Sequence, residues 1–267
     1  MKKTFSREGV DLAYRDVGDG LPVIFQHGLG GDEAQVADVF PDRPQTRRLT
    51  LECRGQGVSG YGPVERLSIA TFAHDIEALA DDLGLGAAVV GGISMGAALA
   101  LRLAVHRPSR VRALVLARPA WVSEAAPANM KPYAVVGDLL MRHSPEKARR
   151  LFDDSTIAAE LARLAPDNLS SLQGFFNRPD PVLFGRLLVA IAGDGPGVSE
   201  AEIRTIAVPT LVIGHGQDLV HRLADAQVLA GLIPPARLCT ITAKSQDRAA
   251  YRREFRACLS EFLETLA

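Results

Sequence analysis

AVVGGISMGAALAL, residues 88–101, decides the fold of this 267-residue chain. Its first part is a short continuous apolar run, of the kind a fully buried strand shows. From Met95 onward the apolar residues continue over a helical length, to His106 and Arg107. Between the two lies Gly92-Ile93-Ser94-Met95-Gly96. A turn that leads a buried strand straight into a helix needs small neighbours, because side chains at Gly92 and Gly96 would collide with flanking backbone. Such a turn holds Ser94 at the carboxyl edge of the sheet. There the first amides of the helix and its dipole favour negative charge. The pattern G-x-S-x-G is common by itself, and the strand before it and helix after it give it meaning. The competing reading is a glycine-rich turn with Ser94 as a simple N-cap.

The wider stretch 87–105 is nearly long enough to cross a membrane. Gly91, Gly92, Gly96 and Arg102 interrupt it, and no flanking charge pattern supports insertion, so a strand, a turn and a helix explain it better. The N-terminal MKKTFSREGV has two lysines but no apolar segment after them, which argues against export.

Around this centre, strands and helices alternate. DLAYRDV, LPVIFQH and RRLTLEC read as strands in the first quarter, the last two running into HGLGG and RGQG. Residues 68–83 predict a helix with Ile69, Phe72, Ile76, Leu79 and Leu83 on its apolar face, and with His74, Asp75, Asp81 and Asp82 largely off it. Ser68 is its expected N-cap and Gly84 follows its end. VRALVLA, VPTLVIG and ARLCTIT are further strands, with a helix over 222–232 and a final one carrying Tyr251, Phe255, Leu259 and Phe262 on one stripe. This spacing suits right-handed βαβ units and a mainly parallel sheet. Between about 120 and 205 only helical segments are evident. Phe175, Phe176, Leu187 and Leu188 suggest an apolar underside there, and hence a medium-sized acyl or ring substrate.

Nearly half of the residues are apolar and the formal net charge is −1. No basic field is present to hold nucleic acid. Cys53, Cys239 and Cys258 form a sparse, odd set, which suggests reduced thiols and a cytoplasmic location rather than a disulfide framework. No Cys/His cluster points to a metal.

Four matched places make the sequence resemble the α/β-hydrolase fold family over almost its whole length. HGLGG, 27–31, is similar to the loop after that family's third strand. RGQG, 54–57, with Ser59, is similar to its R-G-H-G-x-S segment, with Gln56 where histidine is usual. GISMG is its nucleophile elbow, and GHGQD, 214–218, is similar to the strand end that delivers its acid. The resemblance implies an α/β fold with a mainly parallel eight-stranded sheet and helices on both faces. It also implies a core of residues 1–120 and 206–267 and a helical cap over 121–205. Ser94 would be the nucleophile, Asp218 the acid, and the amides of Leu29 and Met95 the oxyanion hole. His27 would shape the oxyanion loop. Neither metal nor organic cofactor is implied, and the partner is a small-molecule substrate, with neither nucleic acid nor membrane.

The family's base lies after the last strand. Here Ser245 or Gln246 takes that place, and neither an amide nor a hydroxyl can accept a proton near neutral pH. Lys244 could serve only if burial depressed its pKa by several units. Of the six histidines, His221 in DLVH is the best placed, three residues after Asp218; its competing reading is the first turn of the helix over 222–232. Trp121 at the start of the helical segment is expected either to wall the pocket or to anchor the core. Arg54 and Arg118, at strand ends, are candidates for a substrate carboxylate, Arg54 being more often a brace for its loop in this family. The function implied is hydrolysis of a small carboxylic ester or lactone through a Ser94 acyl-enzyme with a relocated histidine base. The alternatives are a non-hydrolytic or C–C bond-cleaving enzyme on the same fold, and a small-molecule binder lacking a complete triad.

Overall fold

The computed structural model describes residues 2–266. Eight strands form one sheet: β1 (Lys3–Arg7), β2 (Val10–Val17), β3 (Leu21–Gln26), β4 (Thr46–Leu51), β5 (Ala88–Ile93), β6 (Val111–Ala117), β7 (Thr210–Gly214) and β8 (Ala236–Thr240). Their spatial order is β1-β2-β4-β3-β5-β6-β7-β8. The first two junctions, β1 with β2 and β2 with β4, are antiparallel, and all the others are parallel. β5 is therefore interior to the sheet, which is why every one of its residues is buried. β1 is an edge strand with mostly exposed side chains. That exposure leaves no apolar pattern by which KTFSR could be read as a strand.

Two cores sandwich the sheet. On one face, Phe25, Val89, Val115 and Ile213 pack with Tyr251, Phe255, Leu259 and Phe262. Those four come from the last helix, and their expected stripe is fully buried. On the other face, Leu49, Val90, Leu114 and Val212 meet Ile69, Phe72, Ile76 and Leu79.

In chain order the helices begin with α1 (Glu33–Val39), α2 (Ile69–Asp82) and α3 (Met95–His106). Ser68 caps α2 by accepting from the Thr71 amide. Asp75 departs from its expected place off the apolar face. It is buried, with its carboxylate held by Arg54 at 2.7 and 2.9 Å. Six α-helices follow between β6 and β7, of which the first five are α4 (Lys131–Arg142), α5 (Pro145–Asp153), α6 (Thr156–Leu164), α7 (Pro166–Gly174) and α8 (Pro181–Ala192). α4 and α8 cross closely because each has a glycine at the contact. A Cβ on Gly137 would lie 2.6 Å from the Gly185 carbonyl oxygen, and one on Gly185 equally close to that of Gly137. The chain finishes through α9 (Glu200–Ile203), α10 (Leu223–Leu232) and α11 (Arg248–Glu264). α1, α7 and α9 are short helices without a distinct apolar period, and none was legible in the sequence.

One open reading is decided and one expectation changes. Trp121 is almost fully buried and donates from its indole nitrogen to the Asp194 carbonyl at 2.9 Å, so it anchors the two ends of the helical segment. Cys239 and Cys258 are joined as a disulfide between β8 and α11, with Cα atoms 6.6 Å apart, where reduced thiols were expected. Their proximity arises from packing of α11 against the end of the sheet, which linear spacing does not display. Among the described residues no helix is long and apolar enough to cross a membrane.

Candidate active site

The strand-to-helix turn at the end of β5 is as tight as its glycines suggested. A Cβ on Gly92 would lie 2.6 Å from the Gly96 carbonyl carbon, and one on Gly96 would lie 2.4 Å from the Gln26 carbonyl oxygen. Ser94 itself has φ 57° and ψ −111°. A non-glycine residue pays for such a backbone with strain that the surrounding structure must hold. The amide of Ser94 is fixed by the Ala117 carbonyl at 2.9 Å. Its hydroxyl makes no capping bond to α3. It lies 2.8 Å from His221 Nε2 instead. The N-cap reading of Ser94 therefore does not describe this side chain.

Asp218 and His221 come from the same loop, between β7 and α10. Gln217, with φ 55°, turns the chain just before the aspartate. Asp218 Oδ1 accepts from the backbone amides of Val220 (3.1 Å) and His221 (2.8 Å). His221 Nδ1 lies 3.0 and 3.1 Å from the two carboxylate oxygens. An imidazole nitrogen facing two anionic oxygens is stable only as N–H, which leaves Nε2 as the acceptor for the Ser94 hydroxyl. The first-turn reading of His221 is thus incomplete: α10 begins two residues later, and the ring faces Ser94.

Arg118, at the end of β6, joins this arrangement. Its backbone is also left-handed, with φ 46°. Its Nη2 donates to Asp218 Oδ2 at 2.6 Å and lies 3.1 Å from His221 Nδ1. Burial by itself would raise the pKa of Asp218. The charges of His221 and Arg118 and the hydrogen bonds from His221 outweigh it, and hold the carboxyl well below its usual range. Burial pushes the pKa of His221 down. Asp218 opposes that and Arg118 reinforces it, leaving the imidazole below its ordinary value and neutral near pH 7.

The oxyanion candidates are set by their neighbours. In the loop after β3, the Gly28 amide donates to Gln35 Oε1 at 2.7 Å, and the Gly30 amide to Gln56 Oε1 at 2.7 Å. Among the described residues the Leu29 amide between them, and the Met95 amide at the start of α3, have no protein acceptor. Gln56, which departs from the family's histidine, thus pins the loop, and its Nε2 reaches Met95 Sδ at 3.9 Å. Ser59 is structural as well, donating to the Glu52 carbonyl and accepting from the Ala13 amide.

Other candidates lie away from the chemistry. His27 is fully buried; its Nδ1 donates to the Gly28 carbonyl at 2.8 Å and its Nε2 accepts from the Cys53 amide at 3.1 Å. It shapes the loop without lining the cavity, and burial lowers its pKa. Arg54 is locked to Asp75 and Glu8, and Trp121 to Asp194, so neither pocket candidate borders the cavity beside Ser94. His215 bonds the Gly216 carbonyl and stays 3.8 Å from Asp218, with its pKa pushed down to about 4, first by burial and then by Arg118. His74 is exposed, and His106 meets the Gly197 carbonyl.

The cavity has a volume of about 230 Å³ and brings Ser94, His221, Leu29, Arg118 and Lys244 together under Tyr133 and Phe175. Phe176, Leu187 and Leu188 are buried in the core and do not line it, so its roof is less apolar than composition suggested. Ser245 and Gln246 are exposed, Ser245 Oγ donating to Gln217 Oε1 at 2.9 Å. Two further residues escaped the sequence reading. Asn168 on α7 accepts from the amides of Leu219 (2.9 Å) and Val220 (3.2 Å). Asn129 donates to the carbonyls of Ala120 (2.8 Å) and Val220 (2.6 Å). Both pin the Asp218–His221 loop to the helical segment, and neither sits in any recognisable motif.

Residues 22–243 match the model of the alpha/beta hydrolase fold family, and the chain belongs to that family. It is 29% identical over 245 residues to a 2-hydroxymuconate semialdehyde hydrolase of Pseudomonas sp. (strain CF600), covering 86% of this chain and 82% of that protein. Among solved structures, the enol-lactonase from Burkholderia xenovorans LB400 superposes with a TM-score of 0.73 at 24% identity, covering 98% of this chain and 100% of that one. An esterase from Exiguobacterium antarcticum gives a TM-score of 0.75 at 18% identity, over 99% and 100% of the two chains. At these identities the two structures establish the shared fold alone. The named relatives of this chain are hydrolases.

Proposed function

We propose that this protein is a serine hydrolase that opens a small carboxylic ester or lactone through an acyl-enzyme on Ser94. The observation that carries the proposal is the continuous hydrogen-bonded line from Ser94 Oγ through His221 to Asp218, with links of 2.8 and 3.0 Å. In this reading His221 Nε2 takes the serine proton as Oγ attacks the substrate carbonyl. Asp218 holds the imidazole in the required tautomer and steadies the imidazolium that forms. The amides of Leu29 and Met95 receive the oxyanion of the tetrahedral intermediate, where one such donor is commonly worth ~3 kcal/mol of barrier. His221 then returns the proton to the leaving alcohol, and the same base activates water to release the acid. Residues 121–205 act as the cap, with Tyr133 and Phe175 over the cavity.

A neutral imidazole within 2.8 Å of a strained serine favours turnover over passive binding. An organophosphonate carrying a reporter tests this directly. It is expected to label Ser94 stoichiometrically and to fail with Ser94→Ala. A protein that binds esters tightly yet leaves Ser94 unlabelled refutes the proposal.

A further inference from the structure

Both arginines that the sequence offered for a substrate carboxylate are engaged elsewhere. Arg54 is held by Asp75, and Arg118 donates to Asp218 at 2.6 Å. Two other cations remain on the cavity wall: Lys244 and Arg178. Arg178 donates to the Gly30 carbonyl and stacks 5.6 Å from the Phe184 ring centre. Among the described residues neither cation has an ion-pair partner, and no Asp or Glu side chain lines the cavity. Lys244 is half-buried, at the loop that follows β8. The fields of Asp167 and Asp38 reach it favourably, while those of Arg118 and Arg248 oppose it. An ammonium that has given up part of its hydration without a partner is unfavourable until an anion arrives.

Resting on the hydrolase reading, we propose that Lys244, with Arg178 on the wall of the same cavity, binds a carboxylate carried by the substrate. The substrate class is then a half-ester of a short dicarboxylic acid, or a lactone bearing a free carboxylate. The cavity volume of about 230 Å³ sets the length, because it is small beside a pocket for a drug-sized ligand. The loop after β8 is where the family resemblance looked for the base. With a histidine supplied from residue 221, that loop presents a lysine to the same cavity. Substrate charge is read at the place from which proton transfer has moved.

The test compares mono-p-nitrophenyl glutarate with p-nitrophenyl pentanoate, which differ in a terminal carboxylate against a methyl group. The native protein is expected to favour the half-ester by about tenfold or more in kcat/KM, the scale of one charge-assisted hydrogen bond. Lys244→Met should lower that ratio about tenfold, chiefly through KM, and Lys244→Arg should retain part of it. Labelling of Ser94 by a neutral phosphonate reports whether each variant is folded. Equal rates on the two esters, or an equal loss on both in Lys244→Met, overturns the proposal. If neither ester turns over and Ser94 is not labelled, the hydrolase reading fails. Calorimetry with glutarate then decides the anion subsite alone: binding lost in Lys244→Met upholds it, and no binding, or binding that survives Lys244→Met, overturns it.

Discussion

His221→Ala isolates the base from the rest of the site. The substitution removes the imidazole 2.8 Å from Ser94 but leaves the loop its own supports. Asp218 Oδ1 keeps the amides of residues 220 and 221, Oδ2 keeps Arg118, and the Leu219 and Val220 amides keep Asn168. The fold should therefore survive, and the loss is one of chemistry. General-base transfer contributes typically ~10²–10⁴-fold. At about 1.36 kcal/mol per decade this is about 3–5.5 kcal/mol of barrier. The line to Ser94 is already formed without ligand, so kcat/KM for an activated ester should fall by at least ~10²-fold. Ester turnover and the second-order rate of phosphonate labelling should fall together, because both need the serine oxygen deprotonated. Full turnover in His221→Ala would place the base elsewhere, with Lys244 the one other titratable amine on the cavity wall.

Gly96→Ala should prevent assembly of the elbow, since its Cβ would lie 2.4 Å from the Gln26 carbonyl oxygen; a soluble variant with normal melting temperature and Ser94 labelling contradicts the turn geometry. Asn168→Ala leaves the Leu219 amide without its acceptor in a half-buried setting, so a loss of about 1 kcal/mol in chemical denaturation is expected, with reduced kcat. His221 must be neutral to accept a proton, so kcat/KM falls as pH drops through its pKa, and burial places that acid limb below the usual imidazole value near 6.5. Arg118→Met removes a positive charge that disfavours the imidazolium, so the limb should move upward; an unmoved or lowered limb would refute this role for Arg118.

The fold was legible where a residue's identity answers a local constraint. Gly92 and Gly96 are demanded by close backbone approach, and the interior strands are apolar on both faces because helices cover both. β1 was invisible because an exposed edge strand needs no apolar pattern. The candidate site divides similarly. Ser94, Asp218 and His221 were named from two short segments, and His221 lies within hydrogen-bond distance of both Ser94 and Asp218. Arg118 was seen as a strand-end cation, but its partner lies 100 residues away, and only the sheet brings β6 and β7 side by side. Asn129 and Asn168 could not be found, because an asparagine that satisfies a distant loop looks like any polar residue in a helix. Trp121 was read from its position as either a pocket wall or a core anchor, and the Asp194 carbonyl that fixes it as an anchor was not foreseeable.

The acid and the base candidate are separated by three residues, whereas 127 separate the base from the serine. A pair so local behaves as a cartridge: its internal geometry is written in one turn, and only its seating depends on the rest of the chain. That seating is shared between the sheet, through β7, and the helical segment, through Asn129 and Asn168. Displacement of α7 would carry Asp218 and His221 together, lengthening at once the gap to Ser94 and the contacts both make with Arg118 on β6. Alignment and acidity are thus coupled: one movement of this loop retunes the proton affinity of the pair, through Arg118, as it withdraws the pair from the serine.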